Sequence, residues 1–480
     1  YGKNDTSLVD DLYTILYTTS DNQPLYSKIA TQEGFVSNTY ENGQGKIKFD
    51  RKITYIADGA FNGCQTLTSV TLPNCLERIE GSAFYGCKSL MNIVIPDSVT
   101  YIGYKAFYEC ENLTSITIGA CVKEIFREAF AMCYKLNHVN ITDIAAWCAI
   151  KFNYAPDSGS SNPLQHRDLY LNGELVTNLV IPDNVTTISD YAFYYYTNLK
   201  SITWGKNLAQ IGEFAFSGSN VAEIIIPDNV TSIGSGAFFN CDNLTTVTIG
   251  NGVILLGGAF SGKKLEKFYG KFASADNRSL VINGNWTSFA YYGLTEYNVP
   301  DGVLFVSGTH GSKLNKITIP KSVVSISGFS KSATDVVIQD SAATIEERAF
   351  YEYKGTSISL GKGITSIETY AFYNCPNIKT LDIPDSCTKI GNWAFQYCEG
   401  LTEVTIGKGM QELSGYSFDH CVELVNVYCK ATTPPTSTWR DFNACSKLEH
   451  IYVPRESVDA YKAAEGWKNL ASIIEGYDFE

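Results

Sequence analysis

The sequence predicts a β-rich solenoid, in which stacked turns of about 23 residues form a parallel sheet and caps close both ends. Three observations predict this fold. A phenylalanine recurs at a nearly fixed interval, an alternating apolar segment follows it, and a Pro or Gly ends most of these segments. One such repeat cannot bury its own apolar side, whereas stacked repeats can, with neighbouring strands ~4.8 Å apart.

The recurring phenylalanine, called the anchor here, sets the period. The fourteen anchors are Phe61, Phe84, Phe107, Phe130, Phe193, Phe216, Phe238, Phe260, Phe329, Phe350, Phe372, Phe395, Phe418 and Phe442. Eleven of them follow an alanine. An aliphatic residue stands five positions before most anchors, as Ile56 does before Phe61. Each repeat therefore supplies a strand, a corner, a second short extended segment and a tight bend that holds the anchor.

The main strand of each repeat follows the pattern L-x-x-I-x-I, as in LTSVTLP at 67–73 and LTTVTIG at 244–250. Its first, fourth and sixth positions are apolar, so its third and fifth positions point away from the core. Most repeats carry small hydroxyl residues at these exposed positions, such as Ser115 and Thr117. The pattern predicts an exposed sheet face.

That exposed face becomes more varied toward the C-terminal half of the chain. The candidate binding residues there are Tyr269, Glu296, Asp382, Glu403, Tyr428, His450 and Tyr452. Exposed tyrosines among hydroxyls and mixed charges are typical of an adaptable protein-binding or glycan-binding surface. The alternative is a solvated sheet, because Thr and Tyr are simply good strand formers. The sequence leaves both interpretations open.

Nine of the fourteen cysteines lie three residues after an anchor: Cys64, Cys87, Cys110, Cys133, Cys241, Cys375, Cys398, Cys421 and Cys445. A catalytic thiol is needed only once and needs a histidine nearby, and a zinc site needs closely spaced pairs of cysteines. Disulfides between adjacent turns fit the ~4.8 Å rise, but stacked side chains point in parallel and hold their Cβ atoms apart. The spacing therefore predicts a column of reduced, buried thiols.

We expect one continuous solenoid, interrupted by two insertions and closed by two caps. The expected segments are an N-terminal cap of a hairpin and a lead-in strand at 1–49, repeats at 50–142, an insertion with a short helix and a hairpin at 143–178, repeats at 179–265, an insertion with a hairpin at 266–296, repeats at 297–453, and a C-terminal helical cap at 454–480.

Turn residues support the expected hairpins. Asn172-Gly173 and Asn283-Gly284 each stand between extended halves and predict type I′ turns. Residues 12–26 predict a further hairpin that turns at Asp21-Asn22. Repeat proteins often carry function on insertions, although a hairpin that only packs on the side of the solenoid is the simpler interpretation.

Composition excludes several classes of function. With 480 residues and 44% hydrophobic residues, the chain can bury a large core. The net charge of −13 argues against nucleic acid and anionic membranes as partners. No apolar run approaches the ~18 residues of a membrane span, so we expect none. The chain begins at Tyr1 with a polar segment, so we expect a mature protein without its export signal.

No pattern in the chain indicates catalysis. The aspartates that follow prolines at the corners (Asp97, Asp183, Asp228, Asp301 and Asp385) supply too few oxygens per turn for calcium and fit ordinary turn chemistry. The histidines (His138, His166, His310, His420 and His450) have no partner at a recognisable spacing. We expect no enzyme, cofactor or metal; the alternative is an active site where the 143–178 insertion meets the repeats.

With these repeats in place, the chain resembles the BspA-type leucine-rich repeat family. Repeats of that family read like LTSITIPDSVTSIGDYAFYGCSS, and residues 90–112 read LMNIVIPDSVTYIGYKAFYECEN. The resemblance covers roughly residues 47–455, and IYVPRESVDAYKAAEGW at 451–467 resembles the usual C-terminal cap. It implies a leucine-rich-repeat-like, right-handed coil.

The resemblance also implies a function. Members of the family are secreted or surface-attached proteins of anaerobic bacteria that are associated with adhesion to host matrix proteins such as fibronectin and fibrinogen. We therefore expect an extracellular, non-catalytic adhesion module, monomeric, located at the cell surface or secreted, with a host matrix protein or glycoprotein as partner. The alternatives are a passive spacer on the cell surface and an unrecognised enzyme.

Overall fold

The computed structural model describes residues 12–153, 162–308, 314–329, 333–341 and 343–479. Residues 1–11 of the expected N-terminal cap and His310 lie outside the described residues. The protein is a β-solenoid of about 18 turns, with parallel sheets, about 23 residues per turn and little helix. The predicted fold class is confirmed.

The chain divides into two compact units. The first unit contains Tyr1–Leu265 and Tyr269–Lys271, and the second contains Glu266–Phe268 and Phe272–Glu480. In both units a typical turn contributes a longer strand to one sheet and a short strand to another, as the repeat pattern predicts.

In the first unit the short strands are Tyr55–Ile56, Arg78–Ile79, Tyr101–Ile102, Glu124–Ile125, Lys151–Phe152, Thr187–Ile188, Gln210–Ile211, Ser232–Ile233 and Leu255–Leu256. The other strands are Thr14–Thr19, Phe35–Glu41, Gln44–Phe49, Leu67–Thr71, Asn92–Val94, Ser115–Ile118, His138–Ile141, Asp168–Leu171, Glu174–Leu175, Asn178–Val180, Ser201–Thr203, Glu223–Ile226 and Thr246–Ile249. The helices are the 3-10 helix Lys28–Thr31 and the α-helix Ile144–Cys148. The division between the units falls within the strand Lys267–Gly270.

In the second unit one set of strands begins with the hairpin of the 266–296 insertion and continues with short strands: Ser279–Ile282, Asn285–Phe289, Phe305–Ser307, Ser325–Ser327, Thr344–Ile345, Ser366–Ile367, Lys389–Ile390 and Glu412–Leu413. The other set is Glu296–Asn298, Lys316–Ile319, Asp335–Ile338, Ser357–Ser359, Thr380–Ile383, Glu403–Ile406, Asn426–Cys429, His450–Pro454 and Ile474–Tyr477. The helices are Arg455–Ser457 and Lys468–Ile473, both 3-10, and the α-helix Val458–Ala463.

The anchors form stacked columns inside each unit. The ring centroids of Phe84 and Phe107 are 5.1 Å apart, and those of Phe372 and Phe395 are 5.0 Å apart, with nearly parallel planes. Each bend is also hydrogen-bonded to the next, since the Phe84 N–H donates to the Ala106 carbonyl at 2.7 Å. The alanine before the anchor is fully buried in most turns, which explains why a small residue stands there.

The cysteine column is confirmed. All fourteen cysteines are free, and eight members of the column are buried while Cys445 is partly exposed. A typical thiol donates to the anchor carbonyl of the preceding turn, as from Cys87 Sγ to Phe61 O at 3.2 Å and from Cys398 Sγ to Phe372 O at 3.1 Å. The column therefore consists of small buried donors that join neighbouring bends.

The 143–178 insertion fills a gap in the ladder of bends. In a regular turn the N–H of the preceding anchor donates to the alanine carbonyl. Before Phe193 that donor is replaced, because the Trp147 indole donates to Ala192 O at 2.9 Å and the Asn162 amide donates to the same oxygen at 3.1 Å. Asp143 caps the helix that carries Trp147 by accepting from Ala145 N. These contacts make the insertion part of the core.

Both ends of the solenoid are closed by side chains as well as backbone. At the N-terminal end the Gln32 amide donates to Tyr55 O at 2.8 Å, and its oxygen accepts from Ala57 N at 3.0 Å, so one side chain pairs with the first short strand. At the C-terminal end the buried Trp467 packs 5.9 Å from the ring of the last anchor, Phe442, and covers the phenylalanine column. The first short strand and the last anchor are therefore covered at the two ends.

The hairpin expected at 12–26 is wrong. Thr14–Thr19 instead pairs antiparallel with Gln44–Phe49 and with Leu67–Thr71. Asp21-Asn22 does form a turn, but Pro24 lacks an N–H and the Leu25 N–H donates to the Tyr17 hydroxyl instead of to a strand. The hairpin of this region lies at 35–49 and turns at Asn42-Gly43, both with positive φ. The Asn-Gly dipeptide was the signal for it.

The turns expected at Asn172-Gly173 and Asn283-Gly284 are present. Asp168–Leu171 pairs antiparallel with Glu174–Leu175, and Ser279–Ile282 pairs antiparallel with Asn285–Phe289. All four turn residues have positive φ, between 51° and 87°. This is the conformation that favours Asn and Gly in a two-residue hairpin.

Candidate functional site

The exposed side of one sheet in the second unit collects most of the candidate binding residues. This sheet consists of Thr380–Ile383, Glu403–Ile406, Asn426–Cys429, His450–Pro454 and Ile474–Tyr477, and its exposed side is called the terminal face here. Five of the seven candidates lie on it: Asp382, Glu403, Tyr428, His450 and Tyr452. Glu296 lies in a different sheet of the second unit, and Tyr269 belongs to the first unit.

Parallel register places the terminal face in two rows. The row at the fifth position of the repeat pattern runs through Asp382, Thr405, Tyr428, Tyr452 and Glu475. The row at the third position runs through Thr380, Glu403, Asn426 and His450. Because neighbouring strands are ~4.8 Å apart, consecutive members of a row can touch.

Aromatic side chains cluster at the C-terminal end of the terminal face. The rings of Tyr428 and Tyr452 stack with centroids 4.8 Å apart and planes inclined by 20°. Tyr477 packs against both, at 5.6 Å from Tyr428 and 5.4 Å from Tyr452, and remains 43% exposed. His450 lies 5.5 Å from Tyr452, and Phe479 lies 4.9 Å from Tyr477. The cluster is an exposed aromatic surface held by mutual contacts.

Three residues of this surface were not among the sequence candidates: Glu475, Tyr477 and Phe479. They follow the C-terminal helices, and their strand Ile474–Tyr477 pairs in parallel with His450–Pro454. The segment IIEGY lacks the L-x-x-I-x-I pattern and has no anchor after it, so the repeat gave no signal for a strand. Only the alternation of Ile474 and Gly476 with Glu475 and Tyr477 indicated one.

The terminal face is acidic. Among the described residues, no Lys or Arg forms an ion pair with Asp382, Glu403 or Glu475; Glu475 accepts only from His450 Nδ1, at 3.0 Å. Partial burial raises the pKa of the Tyr428 hydroxyl, and the nearby Glu403 carboxylate raises it further. The Tyr428 hydroxyl therefore stays neutral beside the Glu403 carboxylate.

Three nearby cations pair with carboxylates outside the terminal face. Lys408 pairs with Asp385 at 3.4 Å, Lys447 with Glu423 at 2.7 Å, and Arg455 with Asp478 at 2.7 Å. These pairs lie on residues outside the two rows. The negative charge of the terminal face is thus left available to an external group.

A second aromatic group of the second unit lies on the bends rather than on the sheet. Tyr370 and Trp393 stack at 5.1 Å, and Trp393 and Tyr416 stack at 6.0 Å. Arg440 lies 5.3 Å from the Tyr416 ring and donates to its hydroxyl at 2.6 Å, while Arg348 lies 5.6 Å from the Tyr370 ring. Both ends of the stack are covered by guanidinium groups from the chain itself, so this group is satisfied internally.

Two clefts offer other possible sites. A cleft of about 420 Å³ in the first unit adjoins the 143–178 insertion, where an active site was the alternative expectation, and includes Lys151, Phe152, Asp190 and Glu213. Asp190 already accepts from Glu213 N at 2.7 Å, and the described residues that line this cleft include no His or Cys. The hydroxyl groups of Ser189 and Ser232 line the cleft without a histidine among the described lining residues to activate them.

The second cleft, of about 720 Å³, lies in the second unit beside the 266–296 insertion. Asp276 and Asp301 line it, together with prolines, valines and amide side chains. Asp276 accepts from Arg278 N and from the Ser274 hydroxyl, so it closes a turn of the insertion. Its lining, as far as the structure describes it, likewise contains no His or Cys.

Corner aspartates have a structural role. Asp97 accepts from Ala120 N at 2.8 Å, Asp183 from Lys206 N at 2.9 Å, and Asp385 from Lys408 N at 2.9 Å. Each carboxylate therefore caps the corner of the following turn. Over the part of the chain that the structure describes, no three His, Cys, Asp or Glu side chains cluster as a metal site would require.

Similar proteins include several solved structures. A leucine-rich repeat protein from Bacteroides ovatus is 18% identical, with a TM-score of 0.37, over 93% of this chain and 91% of that chain. A leucine-rich cell surface protein from Faecalibacterium prausnitzii is 22% identical, with a TM-score of 0.39, over 82% and 95%. The pneumococcal vaccine antigen PcpA is 17% identical, with a TM-score of 0.43, over 93% and 100%.

No curated protein matches the chain. Within the described ranges, none of the helices has the length and apolar character needed to cross a membrane. The sequence matches the BspA type leucine-rich repeat region, in six copies, over residues 37–152, 167–277 and 328–449. These matches cover more than half of the chain, and they coincide with the stacked turns described above. The chain belongs to the BspA-type leucine-rich repeat family.

Proposed function

We propose that this protein is a non-catalytic adhesion module, located at the cell surface or secreted, that binds a host matrix protein or glycoprotein through its terminal face. The leucine-rich repeat solenoid is typically a scaffold for protein interaction, which supports binding as the class of function. The same family supports a surface location. The chain acts as a monomer, since a binding surface that lies on one sheet needs no second copy.

The aromatic cluster carries this proposal. Tyr428, Tyr452 and Tyr477 contact one another on the exposed side of the sheet, with centroid separations of 4.8 to 5.6 Å. Tyrosine buries a large area on binding at a low cost in side-chain entropy, and it is enriched among the residues that dominate interfaces. Because the three rings already contact one another before binding, we expect little further ordering to oppose association.

The test is binding to immobilised fibronectin, fibrinogen and mucin, measured by biolayer interferometry at low and high salt. The double variant Tyr428→Ser, Tyr452→Ser removes the stacked pair without opening the core, because both rings are on the exposed side. We expect it to weaken binding about 100-fold, as for two interface anchors.

The chain offers a matched control. Tyr85 and Tyr108 are also stacked, with centroids 5.2 Å apart, but lie on bends of the first unit. We expect Tyr85→Ser, Tyr108→Ser to bind as the unchanged protein does. Equal loss in both variants would point to general damage, and normal binding by the terminal-face variant would contradict the proposed site. No binding to any member of the panel would favour the passive spacer.

A further inference from the structure

We infer that the terminal face binds an arginine side chain of its partner, held above Thr405 between Asp382, Glu403 and the ring of Tyr428. This inference rests on the proposed function and names the chemistry that the site selects. It concerns a gap in the row Asp382, Thr405, Tyr428 and Tyr452, where a small residue lies between a carboxylate and a tyrosine.

The gap follows from the register. Thr405 is paired with Asp382 on one side and with Tyr428 on the other, each ~4.8 Å away across a strand spacing. Tyr452 covers one face of the Tyr428 ring, at 4.8 Å. The register places Thr405 on the other side of Tyr428, and a threonine side chain is too short to cover an aromatic ring. The proposed site therefore uses the face of Tyr428 that is turned away from Tyr452.

The walls of the gap are acidic. Asp382 lies beyond Thr405 in the same row, and Glu403 lies on the strand of Thr405, two residues before it. Glu403 is close enough to Tyr428 to raise the pKa of its hydroxyl. Over the described ranges, neither carboxylate accepts a hydrogen bond or forms an ion pair within the chain. A cation in the gap would meet two unpaired carboxylates and the ring of Tyr428.

Arginine fits this arrangement better than lysine. Its planar guanidinium stacks on an aromatic face and donates in parallel to a carboxylate, whereas an ammonium group is a compact and strongly hydrated point charge. The chain itself uses the same chemistry elsewhere, since Arg78 lies 3.8 Å from the Tyr101 ring centroid and donates to Glu80 at 2.6 Å. A glycan without a cation would leave both carboxylates unpaired.

The experiment uses the full chain and a fluorescein-labelled Gly-Ser peptide that carries two arginines. Two further peptides carry lysine or citrulline at the same positions. Citrulline is neutral and has nearly the shape of arginine. Binding of all three peptides is compared by fluorescence anisotropy. We expect the arginine peptide to bind, the lysine peptide to bind several-fold more weakly and the citrulline peptide about tenfold or more weakly. Raising NaCl from 0.05 to 0.5 M should lower the affinity for the arginine peptide about tenfold.

Two variants localise the site. The double variant Asp382→Asn, Glu403→Gln should lower the affinity for the arginine peptide about tenfold or more, because it removes both carboxylates. Thr405→Tyr should do the same by filling the gap while both carboxylates remain. The charge-matched control is Glu174→Gln, Glu223→Gln, which removes two exposed carboxylates from strands of the first unit and should leave binding unchanged.

The outcomes separate this inference from the proposed function. If the matrix panel depends on Tyr428 and Tyr452 but the arginine peptide binds no better than the citrulline peptide, the adhesion module stands and the arginine site is overturned. If the panel shows no binding but the peptide binds through Asp382 and Glu403, the arginine site stands and the matrix partner is wrong. Equal loss in the charge-matched control would overturn the site as nonspecific attraction to an acidic protein.

Discussion

The sheet of the first unit that begins at Asn92–Val94 and the terminal face of the second unit share one backbone pattern but differ in most of their exposed side chains. In the first-unit sheet a stacked ring pair occurs only toward its far edge, where His138 and Tyr170 lie 4.8 Å apart. On neighbouring strands of the first unit, the fifth pattern position holds Val94 and Thr117, and Val94 is 60% exposed. On the terminal face the same position holds Tyr428 and Tyr452. A solenoid turn therefore does not need a tyrosine there, and the aromatic cluster is additional to what the fold requires.

The buried sides of the two units, in contrast, are alike. Phe107 stacks between Phe84 and Phe130 at 5.1 and 5.3 Å, and Phe395 stacks between two anchors at 5.0 Å on each side. A varied exposed side over a constant core is the arrangement that we expect if the exposed side contacts a partner.

The largest expected loss of stability comes from removing one anchor from each unit, which tests whether the two phenylalanine columns are equivalent. Phe107→Ala and Phe395→Ala should each lower the free energy of unfolding of their unit by about 3–5 kcal/mol, because each leaves a cavity in a stacked column. Urea denaturation followed by tyrosine and tryptophan fluorescence measures both. A loss below about 1 kcal/mol in one unit only would break the comparison, because the two columns would then differ.

A smaller loss of stability is expected at alkaline pH, where buried thiols lose their protons. One cysteine from each unit serves as the example. Burial raises the pKa of Cys64 and of Cys387 from 9.0 to about 11. The folded state then keeps the proton longer than the unfolded state, so stability is complete below pH 9 and falls as the pH rises to about 11. The expected loss is about 2–3 kcal/mol per thiol. Urea denaturation between pH 8 and pH 11 measures it.

The matched variants for this prediction are Cys64→Ala and Cys387→Ala. Each should reduce the alkaline loss of stability in its own unit, even though it also lowers stability at neutral pH by removing buried atoms. An unchanged pH dependence in both variants would show that other groups, such as buried tyrosines, cause the alkaline loss.

Thiol labelling tests the burial of the cysteines without any substitution. Cys121, in the first unit, is the exposed cysteine, and Cys445, in the second, is partly exposed. We expect Ellman's reagent at pH 8 to modify Cys121 rapidly and Cys445 slowly, and to reach all fourteen only in denaturant. Rapid reaction of four or more thiols in the folded protein would contradict a packed cysteine column.

The smallest expected change in stability comes from variants that remove the tyrosine pair from the terminal face or build one on the first unit. Tyr428→Thr, Tyr452→Thr removes one aromatic pair and should cost about 0.5–1.5 kcal/mol of stability while abolishing most binding. Val94→Tyr, Thr117→Tyr builds such a pair in the first unit and should change stability by less than about 1 kcal/mol. Circular dichroism on denaturation and the binding panel measure both. A gain of binding in the second variant would show that a tyrosine pair suffices without acidic neighbours.

The repeated parts of this fold were predictable because each position of the repeat occurs in many copies along the chain. The anchors, the short strand before them and the cysteine column recur at one spacing, so a single interpretation had to fit all copies. Features that occur once were not predictable in this way. Nothing in the spacing indicated that Trp147 and Asn162 would replace a missing anchor donor at Ala192. The indole and amide groups reach that oxygen only because the insertion folds back.

The candidate site was predictable in part for the same reason. Tyr428 and Tyr452 stood at a position that the repeat pattern placed on the exposed side. Glu475 and Tyr477 belong to a strand outside the pattern, which pairs with His450–Pro454 only after the intervening helices. Which candidates share a sheet also depended on breaks in strand pairing, so Glu296 could not be separated from Glu403 by sequence alone.

Footprinting of the bound complex tests the central claim most directly. Hydroxyl-radical labelling followed by mass spectrometry compares the free chain with the chain saturated by its matrix partner. The account predicts protection of Tyr428, Tyr452 and Tyr477, and unchanged labelling of Tyr85 and Tyr108. Protection of the first unit's sheet between Asn92 and Ile141, with the terminal face still fully labelled, would contradict it.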